Sequence, residues 1–433
     1  MHGRRFRLAM AVAAVCLVTA AAAVAATGAL TPKGCIGDSA SNPDSCAKTT
    51  KGLRQPEAVT VSPDGRSVYV AGSNSNDVVT FKRSNKGGAL KPMGCVAEKG
   101  SNPDSCSKAT AGLRYADGVT VSPDGRSVYV ASYSSNAVVS FARNTKTGAL
   151  SPKGCIGDSG NNPSHCSKTT KGLSNAESVV VSPNGKSVYV GGGGGVVVFK
   201  RSSSGALKPL GCVGARGGNF EHCSQTARGL EGDVTVALTH DGKSLYATSS
   251  FDMGVVTFSR NTKTGAIKSK GCIAWSGSNP AHCPKTANGL WYPYGVAVTA
   301  DGKSLYVTAL NAGALVIFKR DTKTGALTFK GCISAGGCNQ TAGGLAHAVG
   351  VAVSPDGKSV YTAAINDSAV ARFNRKRSGA LVPAGCVAEP PTIQCSSVAN
   401  GLQGADAVAV SPDGKSVYAV GGGSNAVVTF KRG

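Results

Sequence analysis

The chain has 433 residues, 58 of them glycine, a net charge of +23 and only 6% aromatic residues. No long helical pattern interrupts it, which excludes a helical bundle. The length, which would by itself suggest two or three domains, resolves into one repeat array.

The first 26 residues read as an export signal. Arg4, Arg5 and Arg7 form a positive n-region, Leu8 to Val24 form an apolar core, and small residues near Ala25 offer cleavage sites. The apolar run is short for a membrane span and no stop-transfer pattern follows. The expectation is a secreted protein, extracellular or in the cell envelope, with no transmembrane segment after cleavage and one domain over residues 27–433.

The mature chain opens with Gly28-Ala29-Leu30 and a short strand to Ile36, then a cysteine loop, a K-G-L segment and a hairpin from Ala58 to Ala71. The hairpin is two β-branched runs joined by Ser-Pro-Asp-Gly. It recurs with turns at Asp64, Asp124, Asn184, Asp241, Asp301, Asp356 and Asp413. Each copy offers strand a (Val59 to Ser62), strand b (Ser67 to Ala71), strand c (Val78 to Lys82) and strand d (Ala89 to Val96). Seven copies of four antiparallel strands predict an all-β, seven-bladed β-propeller. The chain begins with an orphan strand d and ends with a, b and c of a seventh copy, so the N-terminal strand should close the last blade in a 3+1 arrangement.

One tyrosine per strand b (Tyr69, Tyr129, Tyr189, Tyr246, Tyr306, Tyr361, Tyr418) and one phenylalanine per strand c (Phe81 and its six equivalents) predict packing between blades. Apart from Cys16 in the signal, 14 cysteines fall two per repeat. The pairs are Cys35 with Cys46, Cys95 with Cys106, Cys155 with Cys166, Cys212 with Cys223, Cys272 with Cys283, Cys332 with Cys338, and Cys386 with Cys395. Both members persist where the loop shortens, as a local disulfide requires, and no C-x-x-C spacing supports zinc.

The hairpin V-S-P-D-G-x-S-V-Y-V, followed by N-x-V-V-x-F, resembles the repeat of YVTN-type propellers and is similar to lactonase-like propellers of the 6-phosphogluconolactonase superfamily. The resemblance covers strands a to c of all seven blades and implies the propeller fold, with lactone hydrolysis as a candidate activity. No motif here receives that family's catalytic residues, and neither a G-x-S-x-G elbow nor a P-loop is present.

In a four-stranded blade the a–b and c–d turns share one face. That face collects Arg66, Arg126, Lys186, Lys243, Lys303, Lys358 and Lys415, and from the second turns Arg83, Arg201, Arg320, Arg375, Arg432 and several lysines. It is a solvated surface or a ring for an anionic envelope polymer. It has no interleaved aromatics for nucleic acid, and none is expected.

The opposite face collects Tyr115, Tyr133, Phe220, Phe251, Trp275, Trp291, Tyr292, Tyr294 and four histidines: His165, His222, His282 and His347. Three of these, His165, His222 and His282, precede a second cysteine and raise a metal-site question that blade spacing answers unfavourably. The residue before strand a should line the channel mouth. In blade order it is Glu57, Asp117, Glu177, Val234, Tyr294, Val349 and Asp406, an arc of four consecutive carboxylates facing an apolar half.

Glu57, Asp117, Glu177 and Asp406 are candidate ligands for a cation such as Ca2+, or cap backbone amides at the loop-to-strand junction. Tyr115, Trp291, Tyr292, Tyr294 and His347 are candidate ligand contacts. The first expectation is a monomeric binding or scaffold module using the cysteine-clamped loop face. The alternative is a hydrolase of sugar-type lactones at the acidic mouth, with metal assistance as an option. A third reading is an electrostatic adhesin on the basic face.

Overall fold

The computed structural model describes residues 28–217, 222–391 and 394–433. The signal segment lies outside the described residues. The chain forms seven sheets around a ring, six from one repeat each and the seventh from both ends of the chain. In the first, the order is Pro56–Val61, Ser67–Gly72, Asp77–Arg83, Leu90–Glu98 and Lys108–Thr110. The first four strands are antiparallel. The blades therefore have five strands rather than four. The fifth, strand e, follows each cysteine loop and pairs parallel to the end of strand d, as Val96 with Lys108. Its pattern was hidden because it is two or three mostly exposed residues long.

The last blade is closed from both ends of the chain. Strand Leu30–Asp38 pairs antiparallel with Ala426–Arg432 and carries its own strand e, Lys48–Thr50. Gly28 N donates to Gly433 O (2.7 Å) and Gly433 N to Ala29 O (2.8 Å), so no open edge remains at the seam.

The repeated turn is built from side chains that imitate backbone. Ser62 Oγ donates to Asp64 Oδ1 (2.6 Å) and accepts from Ser67 N (3.0 Å), and Arg66 N donates to Asp64 Oδ1 (3.1 Å). Strand b is buried on both faces, and each blade interface is an apolar layer in which Tyr69 and Ala71 meet Val128, Val130 and Phe141.

The cysteines pair within each repeat, as the spacing predicts. Cys35 bonds Cys46, Cys95 bonds Cys106, Cys155 bonds Cys166 and Cys212 bonds Cys223. In the remaining repeats Cys272 bonds Cys283, Cys332 bonds Cys338 and Cys386 bonds Cys395. Their Cα–Cα distances are 5.0–5.3 Å. Each disulfide ties the end of strand d to the loop that leads into strand e, which fixes the short parallel strand against its partner. The ten-residue loops each stabilise by about 3 kcal/mol in the chain-entropy model.

A polar clasp crosses every blade boundary. Arg143, at the end of a strand c, donates to Tyr69 OH of the preceding blade (2.7 Å), to Ser67 Oγ (3.0 Å) and to the turn carboxylate of Asp64 (3.0 Å). Tyr69 OH in turn donates to Gly148 O (2.7 Å), the glycine that opens the next strand d. That glycine sits at φ +81°, and a Cβ there would meet Ser67 Oγ at 2.4 Å, so the Gly-Ala-Leu signature records a close approach. The clasp is made at all seven boundaries by Arg83, Arg143, Arg201, Arg260, Arg320, Arg375 and Arg432. Five of them also pair with a turn aspartate at 2.8–3.0 Å.

This corrects the basic face. Arg83, Arg201 and Arg320 are buried and Arg375 and Arg432 half-buried, so these arginines hold blades together and the free charge of that face is lysine with Arg66, Arg126 and Arg377. Removing one hydroxyl, as in Tyr69→Phe, leaves Arg143 and Gly148 O each short of a buried partner. We expect a loss of about 1–3 kcal/mol, read by chemical denaturation. The same change at the half-buried Tyr133 of the opposite face should cost less than about 0.5 kcal/mol.

Candidate functional site

The strand a nearest the axis carries an extra residue in several blades. Pro56 pairs with Gly72 and Ala58 with Ala71, leaving Glu57 unpaired as a β-bulge. The same shift brackets Asp117, Val349 and Asp406, and in the fifth blade it spans Tyr294 and Gly295. A bulge re-aims the side chain it adds, and here the added residues are Glu57, Asp117 and Asp406 of the acidic arc with Tyr294 and Val349 of the apolar half; Glu177 precedes, and Val234 begins, a strand without it. Two residues earlier the backbone is left-handed: Gln55 (φ 48°), Tyr115 (53°), Asn175 (48°), Tyr292 (59°) and His347 (55°). In three blades an asparagine of the preceding blade holds that amide: Asn425, Asn76 and Asn136 accept from Gln55 N, Tyr115 N and Asn175 N, each at 2.8 Å.

Together these elements enclose a cavity of about 670 Å3 at the channel mouth. Glu57, Asp117 and Asp406 line one side, with Gln55, Tyr115 and Gln403; Tyr294, Leu310, Val349 and Ile365 line the other. No lysine, arginine or histidine lines it. Glu57 Oε1 accepts from Gln55 Nε2 (2.8 Å) and Ser73 Oγ (3.1 Å). Glycine at 422 is needed for the same enclosure, since a Cβ there would lie 2.7 Å from Asp406 Oδ2.

Burial raises the pKa of Glu57, while hydrogen bonds from Gln55, Ser73 and Tyr115 favour its ionised form. Asp117, Glu177 and Asp406 are pushed well above the ordinary carboxylate range, first by burial and then by neighbouring carboxylates. Tyr294 is pushed up too, above all by the charge of Asp117. Asp117 and Asp406 keep part of their surface open toward the channel; protein encloses them otherwise, so the enclosure governs their charge.

The structure adds one carboxylate that counting equivalent positions does not find. Glu177 is buried, its Oε2 has no donor, and it sits within hydrogen-bonding reach of Asp233. Asp233 lies one residue before the expected position, where Val234 stands and strand a of the fourth blade begins. The half-ring is therefore five carboxylates. Among the described residues no three ligand atoms of the mouth lie within 4.8 Å of one another, so the arc does not present a ready-made Ca2+ cage. The one tight group, Asp77 with Cys95 and Cys106, contains a disulfide and offers no thiolate.

Of the expected ligand contacts, Tyr115 and Tyr294 line the cavity, whereas Trp291, Tyr292 and His347 lie outside its lining. Tyr292 still reaches the arc by donating to Asp233 Oδ2 (3.1 Å). Leu310 and Ile365 were unforeseen; they come from the b–c loops, which carry no repeated signal. His165, His222 and His282 occupy left-handed, exposed loop positions shared with Ser45 and Ser105, and belong to no metal cluster among the described residues. Phe220 lies outside the described residues.

A family model described as Lactonase, 7-bladed beta-propeller, matches residues 40–164 and 179–338. The chain belongs to this family. Comparison with curated proteins found no match. Among solved structures, the chain is similar to a candidate 6-phosphogluconolactonase of Bacteroides fragilis NCTC 9343 (TM-score 0.59, 19% identity, covering 89% of this chain and 93% of that one). It is also similar to the periplasmic gluconolactonase of Pseudomonas aeruginosa (TM-score 0.56, 18% identity, 84% and 92% covered). The hydrazine synthase of Kuenenia stuttgartiensis matches comparably (TM-score 0.55, 17% identity, 88% and 97%), so at these identities the likeness is one of fold.

The two sets of carboxylates give stability a maximum. Raised mouth groups contribute stability that is lost as pH rises through their folded pKa values. The clasp residues Asp64, Asp124, Asp301, Asp356 and Asp413 behave oppositely. Burial works to raise them, but hydrogen bonds from the turn and the clasp arginine outweigh it and hold them low. Their contribution is lost as pH falls through those lowered values, below about pH 4. Thermal melting should therefore peak in mild acid, and Asp117→Asn should flatten the decline toward neutral pH.

Proposed function

We propose that this lactonase-family propeller hydrolyses a neutral, hydroxyl-rich lactone of the sugar type at the channel mouth. The observation that supports the reading is a cavity lined by three carboxyl groups in unlike settings, Glu57 accepting from Gln55 and Ser73 while Asp117 and Asp406 are enclosed beside it. Glu57, with three hydrogen bonds to its ionised form, is the base. Asp117 and Asp406, whose pKa values are raised further in part by the charge of Glu57, keep their protons and are the acids.

Glu57 takes a proton from water as the water oxygen bonds to the acyl carbon. A protonated aspartic acid hydrogen-bonds the carbonyl oxygen as charge develops there. When the acyl–oxygen bond breaks, an aspartic acid gives its proton to the ring oxygen, leaving a hydroxy acid. Exchange with solvent then restores both groups. The product ionises beside Glu57 in a cavity whose lining holds no cationic side chain, which favours its release. For the same reason a phosphorylated lactone is a poor fit, since no cationic side chain lines the cavity. The seven disulfides fit an extracytoplasmic protein, and export through residues 1–26 belongs to this proposal.

A second reading, a secreted binding module, is favoured by Tyr115 and Tyr294 beside the carboxylates, a lining suited to a cationic ligand. The lysines of the hairpin-turn face form a separate candidate surface for an anionic envelope polymer, whose binding should weaken steeply with salt.

Proton release from neutral γ- and δ-aldonolactones, above the buffer rate, tests the hydrolase. Glu57→Gln and Asp117→Asn should each lower kcat/KM by roughly 100-fold or more. The wild-type profile should be bell-shaped in pH, and a phosphorylated lactone should react more slowly. Rates equal to buffer, or variants as fast as wild type, overturn the hydrolase and leave the binding module.

A further inference from the structure

Two repeat positions face each other where strand d ends and the path to strand a begins. At two boundaries they hold an acid and an arginine, Asp38 with Arg54 (3.9 Å) and Glu98 with Arg114 (3.8 Å). The acid also caps a buried backbone amide. Asp38, Glu98, Asp158 and Glu389 accept from Leu53 N, Leu113 N, Leu173 N and Leu402 N at 2.5–3.0 Å. Between the fourth and fifth blades the same two positions are Trp275 and Trp291, whose rings stack at 5.5 Å with planes 9° apart. An indole accepts no hydrogen bond from an amide in that way, so a structural cap has been replaced by a flat apolar pair.

The pair is backed from below and open above. Gly277 lies against Trp275, where a Cβ would come within 2.5 Å of the ring, whereas Trp291 is 42% exposed. Phe251 is 57% exposed, its ring 6.2 Å from that of Tyr292, the residue after Trp291. Trp291 and Phe251 are the only exposed aromatic side chains among the described residues. The patch is continuous with the mouth. Tyr292 donates to Asp233, and Leu310, which lines the cavity, donates its amide to Tyr292 O (2.8 Å).

We infer that Trp291 and Phe251, backed by Trp275 and Tyr292, form a stacking platform for the sugar rings of a neutral oligosaccharide whose terminal ring lies in the acidic mouth. This deepens the proposed function and rests on the mouth being a ligand site. Sugar rings present C–H faces that stack on indole and hydroxyl edges that the neighbouring carboxylates accept. An anionic glycan or an anionic lipid surface finds no cationic side chain in the lining of the mouth, and a folded protein could not extend into a cavity of this size.

The probes are cellohexaose and chitohexaose, which carry no lactone, titrated calorimetrically and by tryptophan fluorescence. At least one should bind the wild type saturably and perturb the fluorescence. Trp291→Ala and Phe251→Ala should each weaken binding roughly five- to tenfold, with Trp291→Phe recovering part of the loss. Both side chains are exposed, and unchanged melting confirms that the variants fold. Neither hexasaccharide binding, equal binding by all variants, or Trp291-dependent binding to zwitterionic lipid vesicles in place of the sugars would overturn the platform. Oligosaccharide binding without any lactone hydrolysis would keep the platform and remove the hydrolase alone.

Discussion

The ring depends on the arginine that crosses each blade boundary. Strand b tyrosine, strand c arginine, turn aspartate and the opening glycine of strand d belong to two adjacent blades, so no repeat satisfies its own buried polar groups. Arg143 in isolation would be a buried charge with an uncompensated desolvation cost; against Tyr69, Ser67 and Asp64 it is paired. The demand passes from blade to blade and ends only when the seventh clasp closes on the first described glycine, with Tyr361 OH donating to Gly28 O (2.7 Å). Closure is thus required by hydrogen bonding as well as by strand pairing. The third blade shows the tolerance of the device. Asn184 replaces the turn aspartate there and bonds Thr262 O, while Arg260 keeps Tyr189 and Ser187.

The clasps lie on the hairpin-turn side, which leaves the other side free of that constraint. The irregular residues concentrate there: the acid arc, the Trp275–Trp291 stack, the triple glycine at 421–423. Loops on a rigid scaffold can vary without loss of the fold. Replacement of an acid–arginine pair by two tryptophans at one boundary is such a variation, made at the expense of an amide cap.

What was legible in the sequence is what repeats with a fixed period. Blade number, closure by the N-terminal strand, the local disulfides and the series Glu57, Asp117, Glu177 and Asp406 all follow from counting equivalent positions, because a seven-fold pattern averages out local ambiguity. What was hidden is what needs register or depth. The bulge at Glu57 changes pairing without changing composition. The arginines at the ends of strands c read as surface charge because their positions flank a turn, although their side chains fold back into the boundary. Asp233 escaped because it stands one residue before the counted position, which Val234 fills in the fourth blade, and strand e because two or three mostly exposed residues carry no periodicity. Leu310 and Ile365 sit in b–c loops of unrelated sequence and could be found only from the folded ring.

The acidic mouth sits in a protein of net charge +23, and the two facts are compatible because they act over different distances. The lysines are exposed and their field is screened within about 8–10 Å at physiological salt. The mouth carboxyls act on one another inside a protein-walled cavity, where screening is weak and the cheapest response to repulsion is to keep protons. A half-ring in which Asp117, Glu177 and Asp406 are pushed well above the ordinary carboxylate range faces an apolar wall; it suits hydroxyl-rich neutral matter, and its lining offers no counter-charge to a carboxylate created within it. In the proposed hydrolase, the same distribution accepts the neutral lactone and releases the hydroxy-acid anion formed from it, with no moving part.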